Sequence, residues 1–599
     1  MRKMLLTVFG LMCAGVLTAQ WNPQEDLRVT VDEILDFEVQ TNRDGVTFVA
    51  FWDLVKEDPE KLGNRYSDGS DVAYFLQIID KDGNKLFPNA GKLISNEPTR
   101  SFTMGKDRAI FTDSDGNALY IVKDERNATS GTDQGYFVYK VSPAGELLWD
   151  EPLDLDKGFA YELPVNIQVI EDAYGDYIFA HDIYVGSKSY TVIDKVSKAG
   201  EFVWGKNNPL LLTDDATSYV HPFLVDAGYG DFIVVYAKGG SFQLYAQKYS
   251  FDKEPAWTNP TLIYNDGFPS LAYLVSSVDV ISDQKGGCFV GWYDDHNNTK
   301  YEKAYVSHIL SDGTQGFVTS GEEQGLRLNW NENKRGFRPA LAYDPVSENL
   351  YAVWAEHNEN QSYRSIVLQK ISKEGELTWT NTQAGDEGNT NGLLLDFGWS
   401  PQAVDYYSIR LAGKEKIVVF YEHDYGANGT ENIAALFDVS GEQPEYVWEE
   451  ERRVFSEKTT GTKSGLISLP LFNNEYFLTF WSDFRAGYLS EGAVFAHKIP
   501  FSDNGDVAIR VPETGSNSSF GIIVNRIDGK IDFVLESAAA GKAGIEIYSV
   551  SGMKVAALQS KLHNGENVIP YDVRRLPSGV YIAQVTTPNG VQTQRFIVQ

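Results

Sequence analysis

The stretch LYAVWAEHNENQSYRSIVLQKISKEGELTW, residues Leu350 to Trp379, contains the unit that decides the fold. An apolar run ends beside an acid, a polar loop follows, and a second run leads through a Ser-Lys-Glu-Gly turn to a tryptophan. β-Branched and aromatic runs bounded by turn residues predict β-strands, and the glycine supplies the positive φ of a hairpin turn. The unit therefore predicts a small antiparallel sheet.

The first run of this unit recurs eight times along the chain, at intervals of about 55 to 70 residues. The copies are RDGVTFVAFWD, SDGNALYIVKD, YGDYIFAHD, YGDFIVVYAK, QKGGCFVGWYDD, SENLYAVWAEH, GKEKIVVFYEH and NNEYFLTFWSD. Hairpins such as GYFVYKVSPAGELLW and short apolar segments such as NPLLLT follow most of them. Four strands per unit, repeated in this way, are typical of a β-propeller. We predict an all-β, eight-bladed β-propeller over residues 20–508, with seven blades as the alternative.

The two ends of the repeat are complementary. The eighth unit has no outer apolar strand, whereas the amino terminus has a spare one within EDLRVT. We predict that Leu27 to Thr30 is the outermost strand of the last blade, which removes an open sheet edge. The alternative is a loose extended arm.

Residues 1–19, MRKMLLTVFGLMCAGVLTA, predict a signal peptide, because two cations precede an apolar run that is short for a membrane span. Cys13 raises the alternative of lipid attachment, which the preceding Met12 disfavours. After cleavage only Cys288 remains, so no intrachain disulfide can form. Its apolar surroundings, GGCFVGW, predict a buried and inert thiol.

The charge of the chain limits its partners. The formal net charge is -31 over 599 residues. Such a surface repels nucleic acid phosphates and anionic lipid, so we expect no nucleic acid partner. Outside the signal peptide, no apolar run has the ~20 residues of a transmembrane segment.

The carboxy-terminal part of the chain has a different pattern. Residues 509–519 contain the turn-rich VPETGSNSS and predict a linker. Residues 520–599 contain about seven short strand patterns separated by Gly, Asn and Pro turns, which predict a small seven-stranded β-sandwich.

Two resemblances follow from these motifs. IEIYSVSGMKV, LPSGVYIAQV and the closing RFIVQ resemble the carboxy-terminal sorting domain of type IX secretion substrates, over Gly521 to Gln599. This resemblance implies recognition by the type IX machinery, export through the periplasm and across the outer membrane, and a secreted or cell-surface location. The alternative is a generic sandwich for stability or ligand binding. FQLYAQKYS and VLQKISKEGELTW resemble a broad family of secreted bacterial propellers, which implies the architecture but little about activity.

Candidate site residues lie at the end of the acid-terminated strand, on the propeller face that usually binds ligands. The acids are Asp53, Asp124, Asp182, Asp294, Glu356, Glu422 and Asp483, and the histidines within two residues of this position are His296, His357 and His423. One interpretation is that this rim binds a cation, a sugar or a basic peptide. The other, which the repetition of the acid in nearly every blade favours, is that each carboxylate closes its own loop through backbone N–H groups. Tyr293 and Trp399 are candidate exposed aromatics that could stack on sugar rings, and the alternative is that packing between the blades buries them.

The chemistry of the rim favours binding over catalysis. The sequence has no His-Glu-x-x-His motif, no cysteine pair and no calcium-loop motif, so we expect no metal and no cofactor. No pair of acids departs from the repeat in a way that would indicate a general acid and base. We therefore predict a non-catalytic module that binds a glycan, a peptide or an envelope partner. The alternative is a secreted hydrolase or lyase that degrades a polysaccharide or peptide with rim carboxylates.

Overall fold

The architecture is known from a computed structural model of the chain. The predicted signal peptide, the predicted linker and His296 lie outside the residues that it describes. The described residues are 21, 26–30, 34–54, 72–87, 91–97, 109–127, 134–155, 163–185, 188–213, 217–228, 230–239, 243–264, 278–294, 301–317, 324–331, 333–379, 392–400, 402–448, 450–456, 463–483, 492–501, 520–523, 530–537, 541–549, 554–573, 576, 579–587 and 590–598.

The described chain before residue 502 forms eight small antiparallel sheets. An amino-terminal strand, β1 (Leu27–Arg28), precedes the first sheet. The first four sheets, each given from its first strand to its outermost strand, are β2 to β5 (Asp36–Thr41, Thr47–Leu54, Val72–Ile79, Lys92–Ser95), β6 to β9 (Ile110–Thr112, Ala118–Asp124, Gly135–Val141, Leu153–Asp154), β10 to β13 (Leu163–Glu171, Tyr177–Val185, Lys188–Val196, Leu210–Leu212) and β14 to β17 (Tyr219–Gly228, Asp231–Lys238, Gln243–Tyr249, Thr261–Tyr264).

The next four sheets continue the same pattern. They are β18 to β21 (Asp279–Ser282, Cys288–Asp294, Lys303–Ile309, Leu326–Arg327), β22 to β25 (Lys334–Asp344, Asn349–Asn358, Tyr363–Ile371, Leu393–Trp399), β26 to β30 (Ala403–Leu411, Lys416–Asp424, Thr430–Asp438, Glu445–Tyr446, Arg453–Ser456) and β31 to β33 (Lys463–Ser468, Tyr476–Asp483, Ala493–Pro500). In the seventh sheet both β29 and β30 pair with β28, and a short 3-10 helix, Gly426–Asn428, joins β27 to β28. The chain is therefore nearly all β, as expected.

The hydrophobic cores lie between successive sheets. One cluster joins Trp52 of the first sheet to Tyr120 of the second, and the same relation continues sheet by sheet to the eighth. A further cluster joins Phe480 of the eighth sheet to Phe51 of the first. Each sheet thus buries both faces against its two neighbours, an arrangement consistent with a β-propeller.

The aromatic residue that ends each repeat has a defined partner. Trp149 of the second sheet packs on the hairpin glycine of the third, where an added Cβ at Gly200 would lie 3.1 Å from the indole. Its Nε1 also donates a hydrogen bond to the Lys198 carbonyl, at 3.3 Å. Trp257 contacts Gly313 in the same way. Glycine is therefore needed at these hairpin positions for two reasons: the backbone φ is positive, and a side chain would collide with the neighbouring ring.

The amino-terminal strand completes the eighth sheet. In β1, Leu27 pairs with Ala496 and Arg28 with Phe495 of β33. Beyond the strand, the Val29 N–H donates to the Val494 carbonyl at 2.8 Å. Trp21 packs on the hairpin of the first sheet, where an added Cβ at Gly83 would meet its ring at 3.0 Å. The segment after the predicted signal peptide thus supplies the outer strand of the eighth sheet. It also supplies Trp21, the aromatic residue that packs on the hairpin of the first sheet.

The carboxy-terminal region forms two further antiparallel sheets. Their seven strands, β34 to β40, are Phe520–Ile523, Lys530–Ser537, Gly541–Ser549, Lys554–Leu562, Gly565–Asp572, Gly579–Thr587 and Gly590–Val598. Strands β34, β35 and β38 form one sheet, and β37, β36, β39 and β40 form the other. Phe533 and Ile569 of the first share a core with Ile545 and Ala583 of the second. This is a two-layer β-sandwich.

Two further findings concern burial and membranes. Cys288 is fully buried, and burial raises the pKa of its thiol, as expected for an inert cysteine. No helix in the described ranges is long and apolar enough to cross a membrane.

Candidate functional site

The predicted rim acids lie at one end of each sheet, the end at which the second strand finishes, which we call the upper end. Five of these acids are described with their side chains, and each is at most 3% exposed: Asp124, Asp182, Glu356, Glu422 and Asp483. The side chains of Asp53 and Asp294 lie outside the described residues. The described carboxylates are therefore inside the sheets' packing and not on an open surface.

Asp182 and Glu422 connect neighbouring sheets. The backbone N–H of His221, in the fourth sheet, donates to Asp182 Oδ2 at 2.7 Å. The N–H of Leu466, in the eighth sheet, donates to Glu422 Oε1 at 3.0 Å. Both N–H groups belong to β-bulges near the start of the innermost strand, where the residue at the bulge has a positive φ. These carboxylates therefore satisfy N–H groups that the bulge removes from the strand ladder.

Three other acids have side-chain partners. Asp124 Oδ2 is 2.6 Å from Arg126 Nη2, and burial raises the pKa of this carboxyl against the lowering effect of the arginine. Glu356 Oε2 is 3.3 Å from Lys334 Nζ. Trp481 Nε1 donates to Asp483 Oδ2 at 3.2 Å. None of these contacts forms a pair of carboxylates facing a shared space. The role of the rim acids in ligand binding stays a prediction.

The two described histidines lie at the upper ends of the sixth and seventh sheets, and His423 contacts the sixth sheet. His423 Nδ1 is 3.0 Å from Asp396 Oδ2 of the sixth sheet, and its ring stacks on Tyr425 with centroids 4.0 Å apart. His357 packs against Phe337, with ring centroids 4.8 Å apart. Burial lowers the pKa of His357 to about 4, helped by Arg364, Arg335 and Arg338, so its imidazole is neutral at pH 7.

An exposed aromatic cluster lies on the opposite face of the sixth sheet. We call Tyr363, Phe397 and Trp399 the aromatic corner. Phe397 and Trp399 alternate along the outer strand β25 and are 48% and 58% exposed. The Tyr363 ring centroid is 5.6 Å from that of Phe397 and 4.9 Å from that of Trp399. The three rings thus present one apolar surface to solvent at the upper end of the sheet.

The aromatic corner exists because β25 is long. It has seven residues, whereas the outer strand of the first sheet has four and that of the third has three. The extra length adds Phe397 and Trp399 to the outer strand, where they pair with Ser365 and Tyr363. The prediction of an exposed aromatic was correct for Trp399 and wrong for Tyr293. Tyr293 is only 5% exposed because it packs against Phe337 of the next sheet, with ring centroids 5.1 Å apart. Phe397 and Tyr363 were missed, although the alternation in Phe-Gly-Trp is a signal for them.

Metal chemistry has no support in the described ranges. No three His, Cys, Asp or Glu side chains among those residues converge in a way that would hold a metal ion. What the upper end of the sixth sheet offers is an apolar ring surface with cations close by.

The carboxy-terminal domain matches a known family. Residues 528–599 match the family described as secretion system C-terminal sorting domain. The match confirms the resemblance to type IX sorting domains and indicates secretion to the cell surface. No curated protein matches the chain.

Solved structures similar to the chain are distant. The Dos1 propeller is 10% identical, with 80% of this chain and 95% of that chain covered and a TM-score of 0.39. Polysaccharide lyase Uly1 is 9% identical, with 81% and 100% covered and a TM-score of 0.40. An endo-arabinase from Bacteroides thetaiotaomicron is 11% identical, with 47% and 92% covered and a TM-score of 0.24. Likenesses at these scores carry no information on activity.

Proposed function

We propose that this protein, secreted to the cell surface through its sorting domain, is a non-catalytic glycan-binding module built on an eight-bladed β-propeller. The observation that carries the proposal is the aromatic corner. A large exposed apolar surface is unfavourable in water unless it has a partner. Pyranose rings have apolar C–H faces that pack on aromatic rings, whereas their hydroxyls remain in water. Three adjoining rings offer room for more than one sugar unit.

Neighbouring outer strands support the interpretation of the corner as a specific feature. The outward positions of the other outer strands carry aliphatic side chains such as Leu93, Leu211 and Leu262. Aliphatic residues scattered singly on a surface are ordinary, whereas a contiguous ring cluster is not. Trp399 is also the most exposed of the large aromatic residues among those described. The corner is thus a local departure from the repeat, which is what a binding site on a repeated scaffold requires.

The alternative, a hydrolase or lyase, has less support. A glycosidase needs two carboxyl groups at a set distance across a cleft. Two of the described rim acids instead accept hydrogen bonds from backbone N–H groups of the next sheet, and the other three contact an indole or a cation of the same repeat. Carboxylates held in this way are positioned for stability and not for proton transfer to a bound sugar.

The count of eight blades is supported by the closure between the last and first sheets. Eight hydrophobic clusters separate eight sheets, and β1 brings the eighth sheet to four strands. A closed ring of this kind leaves no sheet face exposed, which favours eight blades over seven with a stray unit.

A glycan array on the mature chain, followed by titration of the best binder, tests the proposal. Trp399→Ala is expected to weaken binding about tenfold, since one stacked ring contributes on the order of 1.5 kcal/mol. Trp330→Ala is the matched control, because Trp330 is 39% exposed on the neighbouring fifth sheet but stacks on Arg327. An array without binders, or equal affinity of wild type and Trp399→Ala, would overturn the proposal. Turnover of the bound glycan would reject its non-catalytic part.

A further inference from the structure

A concentration of cations lies beside the aromatic corner, on a chain that is otherwise strongly acidic. The sequence has 83 Asp and Glu residues against 52 Lys and Arg residues. At the upper end of the sixth sheet, Arg335, His357 and Arg364 lie opposite one another on three adjacent strands. Arg335 is the register partner of His357, and His357 is the register partner of Arg364. Directly paired residues project from the same face of a sheet. Arg338 joins them from the bulge of β22, where its φ is 47°.

Two of these arginines have no carboxylate partner among the residues that the structure describes. Arg335 Nη1 is 2.5 Å from Glu302 Oε2, so its charge is paired. Arg338 is exposed and Arg364 is half-buried, and neither has a carboxylate within 4.0 Å in the described part of the chain. Arg452 of the seventh sheet is already 3.0 Å from Asp396. Among the described residues at this end of the sixth sheet, the arginine charge without a carboxylate partner therefore comes from Arg338 and Arg364.

The residue between Arg335 and Arg364 in the strand register carries no charge. Burial and the neighbouring arginines lower the pKa of His357 to about 4, so its imidazole is neutral at pH 7 and does not compensate the arginines. Guanidinium groups placed close together repel one another, and an anion between them removes this repulsion while forming charge-assisted hydrogen bonds. The group thus has the composition of an anion-binding site, in which no carboxylate from the described part of the chain is within 4.0 Å of Arg338 or Arg364.

The arginines and the aromatic corner are adjacent. Arg364 directly follows Tyr363, and it pairs with Gly398, which lies between Phe397 and Trp399. The rings and the guanidinium groups are on opposite faces of the sixth sheet and meet at its upper end. A chain of sugar units that crosses this end contacts both.

We propose that the glycan bound at the aromatic corner is acidic, and that Arg338 and Arg364 bind its carboxylate or sulfate groups. This inference rests on the proposed function, since the corner must first bind a sugar. The arginines determine which sugars are accepted, because a neutral glycan stacks on the rings but leaves the guanidinium groups unpaired.

The test uses the mature full chain and two matched probes, a polygalacturonate oligosaccharide and its methyl-esterified form, with a sulfated and desulfated pair as the second set. Wild type is expected to bind at least one acidic probe about tenfold or more tightly than its neutral partner. Arg338→Gln/Arg364→Gln is expected to lose this preference, with less than a twofold change for the neutral probe. Added salt should weaken the wild type more than the variant.

Matched controls separate charge from fold. Arg43→Gln/Lys414→Gln also removes two positive charges, but from residues far in sequence from Arg338 and Arg364. The side chains of Arg43 and Lys414 are 46% and 74% exposed, and this variant should bind both probes like wild type. Arg338→Lys/Arg364→Lys keeps the charges and should retain part of the preference if the glutamine variant does not fold.

The outcomes distinguish the two proposals. Equal binding of acidic and neutral probes, or an unchanged preference in the glutamine variant, would overturn the inference about the arginines. A loss of binding in Trp399→Ala would still uphold the proposed function in that case. Unchanged binding in Trp399→Ala would overturn the proposed function itself.

Discussion

Replacing Asp182 by alanine tests whether the repeated acids hold the sheets together. Asp182 is fully buried in β11 and accepts three hydrogen bonds. They come from the His221 N–H at 2.7 Å, Asn166 Nδ2 at 2.9 Å and Thr191 Oγ1 at 2.9 Å. Since His221 belongs to the fourth sheet, the carboxylate connects two sheets.

The size of the effect follows from these three contacts. A hydrogen bond to a charged group contributes about 1.5–3 kcal/mol, and a buried donor left without an acceptor costs about 1–3 kcal/mol. Water entering the space left by Asp182→Ala recovers part of this loss. We expect a decrease of about 3–5 kcal/mol in the free energy of unfolding. Asp182→Asn keeps the shape and one acceptor, and the Thr191 hydroxyl can rotate, so we expect about 1–2 kcal/mol.

The assay is urea unfolding of the mature chain, followed by tryptophan fluorescence. Glu201→Ala is the control, because Glu201 is an exposed carboxylate in the hairpin of the same sheet. It should change the free energy of unfolding by no more than about 0.5 kcal/mol. If Asp182→Ala is as stable as the control, the carboxylate does not act as a structural connector. Loss of glycan binding at unchanged stability would instead favour the predicted ligand-binding rim.

Three further predictions follow from other contacts. Trp21→Ala removes a half-buried indole that packs on Gly83, and it should lower the free energy of unfolding by about 2 kcal/mol. Trp149→Ala, between the second and third sheets, should lower it by a similar amount. A loss of stability in Trp149→Ala alone would contradict closure by the amino terminus. Burial lowers the pKa of His221 to about 4, so the unfolded histidine binds a proton that the folded one does not, and the free energy of unfolding should fall as pH decreases from 6.5 to 4. His221→Gln should reduce this slope by about 1.4 kcal/mol per pH unit within that window, and equal slopes in urea unfolding would exclude the assignment. Deletion of residues 520–599 should abolish surface display in cell fractionation, and normal display of the shortened chain would contradict sorting by this domain.

Strand positions were predictable from the sequence because alternation and turn chemistry are local. The run SENLYAVWAEH predicted a strand that the structure has at Asn349–Asn358. The seven strand patterns of the carboxy-terminal domain correspond to β34 to β40. Each of these predictions depends on residues within about ten positions of one another, so no knowledge of distant contacts was needed.

The environment of Asp182 and Glu422 was not predictable, because each has a partner from the next sheet. Asp182 and His221 are separated by 39 residues, and Glu422 and Leu466 by 44. The bulges that leave these N–H groups unpaired have no common residue, since Asn166, His221, Arg338, Tyr406 and Gly465 all occupy them. A repeat therefore shows that a carboxylate is needed but not which group it binds.

The sequence by itself determined the repeated four-strand unit, the spare amino-terminal strand and the sorting domain, because each is recognised from residues that are close together in the chain. Only the tertiary structure decided which side chains remain exposed. Tyr293 and Trp399 both lie in aromatic-rich strands, yet Phe337 covers Tyr293 and no described residue covers most of Trp399. Exposure depends on what the neighbouring sheet places over a residue, and that is a property of packing between segments far apart in the chain.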